Sequence, residues 1–260
     1  MTLISGQILK IISNVRQQFY CRYSSRATKK SKKASDRFSQ YLILKACIKD
    51  YPQILESMHQ YYYNFEPTCY SIGLHQNSIM DQIAMQKMAE GMTLVARCKY
   101  DGHIVGAAIN ESSNPWDPDL KEKLACHINC PQMKHWLLFQ AHLQRFPKLW
   151  NCMHVQKIFE MTYIFVKREI EHPEFLMRMM EESRSLAADC GFKAVRVNAS
   201  TFKISEICKK MKMIRQAELP YCSYLSKKME PIFKPPYPNE SVKVYIDNSP
   251  QKNARLFKSN

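Results

Sequence analysis

Three features are missing from this sequence: a long apolar run, paired cysteines and, over the first 35 residues, any acidic side chain. Nothing approaches the roughly 20 consecutive apolar residues of a membrane-spanning helix, so no membrane span is expected. The ten cysteines include no pair separated by two residues, and Cys126 and Cys130 lack partners at zinc spacing. We therefore expect no metal site, and reduced thiols in an intracellular protein.

Positive charge is concentrated at the N-terminus. Residues 1–35 carry eight Lys or Arg residues and no Asp or Glu, which is about half of the net charge of +15. Residues 4–19 repeat apolar side chains at helical spacing, and an amphipathic, Arg-rich, acid-free leader is typical of a mitochondrial transit peptide. The alternatives are a disordered basic arm, or an arm that anchors the protein to nucleic acid or anionic membrane.

The predicted location is cytoplasmic or mitochondrial, with residues 1–38 as the leader. Outside the leader, no stripe of basic residues with interleaved aromatic residues occurs, so no nucleic-acid partner is expected for the domain. The sequence does not predict an oligomeric state.

Beyond the leader, apolar periodicity predicts a mixed α/β domain. The predicted strands are residues 41–49, 93–99, 103–110, 157–166, 192–197, 217–225 and 242–246. The predicted helices are residues 50–62, 78–88, 136–146, 174–190 and 201–213, with residues 111–134 as a loop. An Asp-Gly turn at 101–102 predicts a β-hairpin. The predicted core spans 39–229, followed over 230–260 by a Pro-containing connector, a last strand and a disordered tail.

Two segments carry a resemblance to a known superfamily. The strand Tyr163–Val166, the helix that ends before Gly191, the next strand and the last helix resemble the acyl-CoA-binding core of the GCN5-related N-acetyltransferases. The segment Glu66–Gly73, Glu-Pro-Thr-Cys-Tyr-Ser-Ile-Gly, resembles the element Glu-Pro-Leu-x-x-Ser-Leu-Gly of insect arylalkylamine N-acetyltransferases. Those enzymes acetylate dopamine, serotonin, octopamine and tryptamine. The resemblance covers residues 41–247 and implies a central mixed sheet flanked by helices, acetyl-CoA as donor and an arylalkylamine-type primary amine as acceptor.

The resemblance also implies roles for individual residues. The Glu of Glu-Pro is the proposed general base of the insect enzymes, which corresponds to Glu66 here. Two hydroxyls spaced four residues apart assist it, and Thr201 and Ser205 have that spacing, with Thr in place of the first Ser. A base is needed because an alkylamine, with a pKa of about 10, arrives protonated. Tyr221 or Tyr224 would protonate the leaving thiolate.

Each of these residues also has a structural interpretation. Glu66 can simply end a helix ahead of Pro67. Thr201 can be the N-cap of the last core helix, and Ser205 can be a surface helix residue. Tyr221 can be a half-buried strand tyrosine.

The predicted cofactor site combines an intact strand with an altered loop. A backbone amide near Phe165 or Val166 would hold the oxyanion. In the superfamily, a loop Arg/Gln-x-x-Gly-x-Gly/Ala then donates amides to the pyrophosphate. Aligned without gaps, its three defined positions are Glu171, Glu174 and Leu176 here. A carboxylate at a helix N-terminus opposes an incoming phosphate, so acetyl-CoA binding is in question.

Two interpretations of the altered loop remain open. Basic side chains near it could replace the missing amides, and the candidates are Lys167, Arg168, Arg178, Lys203 and Lys209. Alternatively, the loop is a solvated helix cap without a ligand, and the chain is a non-catalytic relative that binds a ligand or a protein partner.

Overall fold

The structure is a computed structural model that describes residues 38–75 and 77–250. The predictions for the leader up to residue 37 and for the tail after residue 250 lie outside the described residues. No helix of the described residues is long and apolar enough to cross a membrane.

The described residues form one seven-stranded mixed sheet, which confirms the predicted fold class. Its strands are β1 (Tyr41–Lys45), β2 (Leu94–Cys98), β3 (Ile104–Ser113), β4 (Ile158–Val166), β5 (Val195–Ala199), β6 (Ile214–Pro220) and β7 (Ser241–Asp247). The spatial order is β1-β2-β3-β4-β5-β7-β6, so the last strand lies inside the sheet. Only the β4–β5 pair is parallel; the other neighbours are antiparallel.

The α-helices of the described residues cover both faces of the sheet. They are α1 (Tyr51–Tyr61), α2 (Pro67–Ser71), α3 (Ser78–Ala89), α4 (Asp117–His127), α5 (Pro131–Arg145), α6 (Leu149–Met153), α7 (Pro173–Asp189) and α8 (Phe202–Lys210). Helices α7 and α8 pack through Met179 and Ile207 on one face. Helices α1 and α3 pack through Ile54 and Ala84 on the other face, and Phe139 of α5 continues that layer.

The predicted loop over 111–134 is wrong. Strand β3 continues to Ser113, α4 occupies 117–127, and α5 begins at Pro131 rather than at Trp136. Prolines were the reason for predicting a loop, but Pro118 and Pro131 each stand in the first turn of a helix, where no amide hydrogen is needed. The predicted hairpin is confirmed, with β2 and β3 on either side of Gly102 at φ 72°.

A β-bulge at Thr162 changes which way β4 presents its side chains. Asn110 of β3 pairs with Met161 and Ile109 pairs with Tyr163, so Thr162 is the extra residue. Met161 therefore packs on the α7 side of the sheet, and Tyr163, only two residues later, packs on the α1 side. A regular strand would place both on one face.

Gly106 allows β3 to press closely on the end of β4. It pairs with Val166, and a Cβ at Gly106 would lie 2.6 Å from the carbonyl oxygen of Phe165 and 2.9 Å from the Cα of Val166. Only glycine permits that approach without moving the backbone.

Candidate active site

The parallel strands β4 and β5 separate and leave a cleft between them. They pair only from Phe159 to Met161 on β4 and from Val195 to Val197 on β5. Beyond that point lies a cavity of about 590 Å³, which we call the strand cleft. Its walls include the end of β4, the residues after β5, the loop before α7 and the start of α8. Phe165, Val166, Glu171 and Leu176, four of the five predicted cofactor-binding residues, line it.

The end of β4 offers backbone amides to the strand cleft. The amide of Lys167 donates to the carbonyl of Val105 on β3 at 2.7 Å. Backbone groups alternate in direction along a strand, so the amide of Phe165 also points toward β3, whereas those of Ile164 and Val166 point toward the cleft. Of the two predicted oxyanion donors, Val166 has the suitable orientation.

The first turn of α7 uses its own amides internally. Pro173 has no amide hydrogen. The amide of Glu174 donates to Nδ1 of His172 at 3.3 Å, and those of Phe175 and Leu176 donate to the carbonyl of His172 at 3.0 and 3.1 Å. Glu174, the fifth predicted cofactor residue, is not among the residues that line the strand cleft.

Two cations lie at the strand cleft, and each already has a partner. Nζ of Lys203, at the start of α8, lies 2.6 Å from Oε1 of Glu171. The guanidinium of Arg168 lies over the ring of Phe65, 4.0 Å from its centroid. Of the other proposed replacement cations, Arg178 donates to the carbonyl of Phe38 and Lys209 pairs with Glu206.

A second cavity, of about 270 Å³, lies on the α1 side of the sheet between α3, α4 and α5, and we call it the charged cavity. Among its lining residues are five carboxylates and two ammonium groups: Glu66, Glu90, Glu111, Asp117, Glu160, Lys87 and Lys121. Apolar and aromatic side chains complete the wall, including Leu124, Trp136 and Tyr163. This excess of carboxylates favours a positively charged occupant.

Buried ion pairs form the floor of the charged cavity. Glu111 pairs with Lys87 and accepts from the hydroxyl of Thr162 at 2.8 Å. Burial would raise the pKa of Glu111, but Lys87 and then Lys121 lower it overall. Arg196, fully buried, lies 3.9 Å from Glu160. The remaining acids are less fully compensated.

Of the three remaining acids, Glu90 and Asp117 line the charged cavity alone, whereas Glu66 also lines the strand cleft. Glu90 accepts from the amide of Ser112, and Asp117 accepts from the amide of Asn114, each at 2.7 Å. Burial raises the pKa of both carboxyls. Among the described residues, no group of three or more His, Cys, Asp or Glu could hold a metal ion.

Glu66 lies where the two cavities meet. Five residues line both of them: Tyr62, Glu66, Thr162, Asn198 and Ser200. Glu66 is buried and forms the N-cap of α2, so it begins a helix rather than ending one. Its Oε2 accepts from the amide of Cys69 at 2.8 Å and from the hydroxyl of Thr68. A carboxylate at this junction could accept a proton from a group in the charged cavity.

The ionisable side chains around Glu66 hold their own protons tightly. Burial, followed by the negative charge of Glu66, raises the pKa of Tyr62, of Cys69 and of Tyr221 well above their ordinary values. These three groups therefore remain neutral.

The other predicted catalytic residues are divided between the cleft and the core. Thr201 lines the strand cleft and is the N-cap of α8, accepting from the amide of Ile204 at 3.2 Å. Ser205 is buried, not a surface residue, and its hydroxyl lies 2.9 Å from that of Tyr245. Tyr221 lies in a short 3₁₀ turn after β6, fully buried, and donates to the carbonyl of Ser200 at 2.9 Å.

The buried charged residues at and beneath the charged cavity were not predicted from the sequence. They interrupt apolar strands at single positions, such as Glu111 in β3, Glu160 in β4 and Arg196 in β5. Charged residues inside buried strands are uncommon unless paired. That contrast was the available signal, although it would not have identified the partners.

The fold matches solved acetyltransferase structures. Arylalkylamine N-acetyltransferase 2 from Aedes aegypti matches with a TM-score of 0.76 and 21% identity, over 80% of this chain and 98% of that chain. A mosquito arylalkylamine N-acetyltransferase like 5b also matches with a TM-score of 0.76, at 19% identity, over 80% and 99%. The polyamine N-acetyltransferase of Drosophila melanogaster, described as forming N-acetylagmatine, matches with a TM-score of 0.73 and 16% identity, over 80% and 99%.

No protein-family model and no curated protein sequence matches the chain. The chain thus has the fold of the GCN5-related N-acetyltransferases, and insect arylalkylamine N-acetyltransferases are among the solved structures that it resembles, as the sequence predicted. At these identities the similarity establishes the fold only, and any reaction has to be argued from the residues of the site.

Proposed function

We propose that the protein is an acyl-CoA-dependent N-acetyltransferase that transfers an acetyl group to a primary amine. The single observation that carries this proposal is the position of Glu66, in the wall of both the strand cleft and the charged cavity. An acyl donor in the strand cleft and an amine in the charged cavity would meet beside that carboxylate.

The proposed reaction is a direct attack. The amine arrives as an ammonium ion, and Glu66 takes a proton from it. The nitrogen attacks the thioester carbonyl carbon while the amide of Val166 stabilises the oxyanion. The C–N bond forms, and the nitrogen releases its second proton as the C–S bond breaks and Tyr221 protonates the leaving thiolate. That second proton restores the hydroxyl of Tyr221, and the proton on Glu66 leaves to solvent, so an ammonium ion and a thioester give an amide, a thiol and one proton. Tyr221 remains protonated because burial and then Glu66 raise its pKa, and it contacts Ser200 in the wall of both cavities.

Thr201 and Ser205 are proposed to assist from α8. The hydroxyl oxygen of Thr201 accepts a hydrogen bond from the amide of Ile204. The hydroxyl hydrogen of Thr201 therefore remains available to a group in the strand cleft. Ser205 acts indirectly, since it contacts Tyr245 and does not line the cleft.

The strand cleft suits the acyl-thioester arm of acetyl-CoA better than its pyrophosphate. The gap between β4 and β5 and the inward amides of Ile164 and Val166 suit the acyl-thioester arm. The pyrophosphate finds no amide cradle, because the first turn of α7 bonds to His172. Lys203 and Arg168 are the proposed phosphate partners, and Glu171 competes for Lys203.

The charged cavity supports a cationic acceptor with an apolar body. Its carboxylates favour an ammonium group, and Trp136, Tyr163 and Leu124 provide apolar wall. Arylalkylamines are the first acceptor class to test, since the Glu66–Gly73 element resembles that of enzymes acting on them.

The test is an acetylation assay on the full-length protein with acetyl-CoA and a panel of arylalkylamines and aliphatic amines. Product is identified by mass spectrometry and free thiol is measured in parallel. The matched control is Glu66→Gln, which keeps the shape and loses the base; we expect a loss of about 10²- to 10⁴-fold in kcat/KM. No product from any amine, with cooperatively folded protein, would contradict the proposal. A fully active Glu66→Gln would remove Glu66 as the base.

A second candidate function is non-catalytic binding by an acetyltransferase fold. The internally bonded first turn of α7 and the Lys203–Glu171 ion pair favour it, because both fill the place where the superfamily holds pyrophosphate. Equilibrium dialysis with acetyl-CoA distinguishes the two functions. Absence of both binding and product would support the second candidate, and turnover of any amine would exclude it.

A further inference from the structure

Thr68 marks a departure from the element that this chain resembles. The insect element reads Glu-Pro-Leu, whereas here Glu66 and Pro67 are followed by a threonine. Thr68 is only 1% exposed, and it lines the charged cavity. A hydroxyl buried at a position that accepts leucine elsewhere costs free energy unless it forms a hydrogen bond.

The hydroxyl of Thr68 forms that bond with Glu66. It donates to Oε2, the same oxygen that accepts from the amide of Cys69 at 2.8 Å. An N-cap side chain needs only an amide of the first helical turn, which Cys69 supplies. The bond from Thr68 is therefore additional to capping. Both of these bonds are made to Oε2 of Glu66.

Glu66 depends on such donors because it has no cationic partner. Within the described residues, no Lys, Arg or His forms an ion pair with it. Its neighbours Tyr62 and Tyr221 are neutral phenols, since burial and then Glu66 raise their pKa values. Hydrogen bonds to a buried carboxylate favour its charged form.

We propose that Thr68 is a positioning residue for Glu66. Its hydroxyl fixes the plane of the carboxylate, stabilises the charged form and leaves the lone pairs of Oε1 for the incoming ammonium proton. This inference rests on the proposed function, in which Glu66 is the base. Thr68 lines the charged cavity but not the strand cleft, so donor binding does not depend on it.

The test compares Thr68→Val, which is nearly isosteric and lacks the hydroxyl, with Thr68→Ser, which keeps it. In Thr68→Val, the acid limb of the kcat/KM profile moves to higher pH by about one unit, because a hydrogen bond to a charged group is lost. Activity on that limb falls by the corresponding factor of about ten. The KM for acetyl-CoA stays unchanged, and Thr68→Ser restores the profile.

A second readout does not need turnover. Carbon-13 NMR of protein labelled at glutamate carboxyls follows the titration of Glu66, with Glu66→Gln used to assign its signal. The Glu66 signal titrates at higher pH in Thr68→Val than in the wild type and in Thr68→Ser.

Coincident titrations in the wild type and Thr68→Val, or no recovery in Thr68→Ser, would overturn the inference. If no amine is turned over, the proposed function fails and the NMR titration alone decides the role of Thr68. If Thr68→Val does not fold, Thr68→Leu replaces it, with the same expectations.

Discussion

Lys203 at the start of α8 and Glu171 before α7 form an ion pair of 2.6 Å between residues that both line the strand cleft. The carboxylate thus neutralises the lysine that a phosphate of the acyl donor would need. An incoming phosphate has to separate this pair or bind beside its negative charge.

Replacing Glu171 should strengthen acetyl-CoA binding. Glu171→Gln frees Lys203 and removes a repulsion of about one to several kcal/mol, so we expect about tenfold tighter binding. Calorimetric titration measures it. Glu169→Gln is the matched control, because Glu169 is an exposed acid of the same loop that does not line the cleft. Equal affinities in the wild type and Glu171→Gln would mean that the ion pair does not obstruct the donor.

Gly106→Ala should damage the end of β4. The added Cβ would meet backbone of Phe165 and Val166 at 2.6 and 2.9 Å, so β4 must shift at the cleft. We expect a destabilisation of about 1–3 kcal/mol, as for other overpacked sites, together with weaker acetyl-CoA binding. Urea unfolding and calorimetry measure the two effects. Unchanged stability and binding would show that β3 can move away without affecting the cleft.

The buried Glu111–Lys87 pair should contribute to the free energy of unfolding, and this contribution should depend on pH. Glu111→Gln leaves Lys87 buried without its counter-charge, which typically costs about 3–5 kcal/mol. Because Lys87 and Lys121 outweigh burial and lower the pKa of Glu111 in the fold, its contribution is present at neutral pH. That contribution is lost as the pH falls through the lowered pKa.

Urea unfolding at neutral and acid pH tests this prediction. The difference between the wild type and Glu111→Gln should shrink on acidification. The control is the double variant Lys87→Met with Glu111→Leu, which removes both charges and should recover most of the stability. A difference that is independent of pH would exclude a charged Glu111 as its source.

Tyr221→Phe tests the proposed proton donor. The ring remains packed against Phe139 and Phe233, and only the hydroxyl that contacts Ser200 is removed. We expect kcat to fall by about 10²-fold or more, with little change in the KM for acetyl-CoA. Stopped assays across pH measure it. Wild-type kcat in Tyr221→Phe would assign the leaving thiolate a different proton donor.

The sheet was predictable because its strands carry clear local signals. Strand β4 is a continuous apolar run at its end, and the hairpin of β2 and β3 has its Asp-Gly turn. Some boundaries failed where proline was ambiguous, as at Pro118 and Pro131, which begin helices rather than breaking them. Others failed elsewhere: the strand predicted over 41–49 ends at Lys45, and the strand predicted over 217–225 is Ile214–Pro220. Proline restricts a helix interior but suits its first turn, and local sequence does not distinguish the two.

The site was predictable only in part. Glu66 could be selected through the Glu-Pro element, and the loss of the glycine loop was visible in Glu171 and Pro173. The junction of the two cavities depends on the bulge at Thr162 and on strand separation, which are tertiary features. Likewise, the bond from Thr68 to Glu66 follows from how α2 is oriented, and the residue order alone does not specify it.

Calorimetric titration of the full-length protein with acetyl-CoA tests most directly whether this fold binds an acyl donor. We expect saturable binding of acetyl-CoA with a dissociation constant in the micromolar range. Binding should weaken in Lys203→Gln and persist in Glu66→Gln, because Lys203 is the proposed phosphate partner and Glu66 acts on the amine. No detectable heat from cooperatively folded protein, supported by no protection on thermal unfolding, would contradict the account.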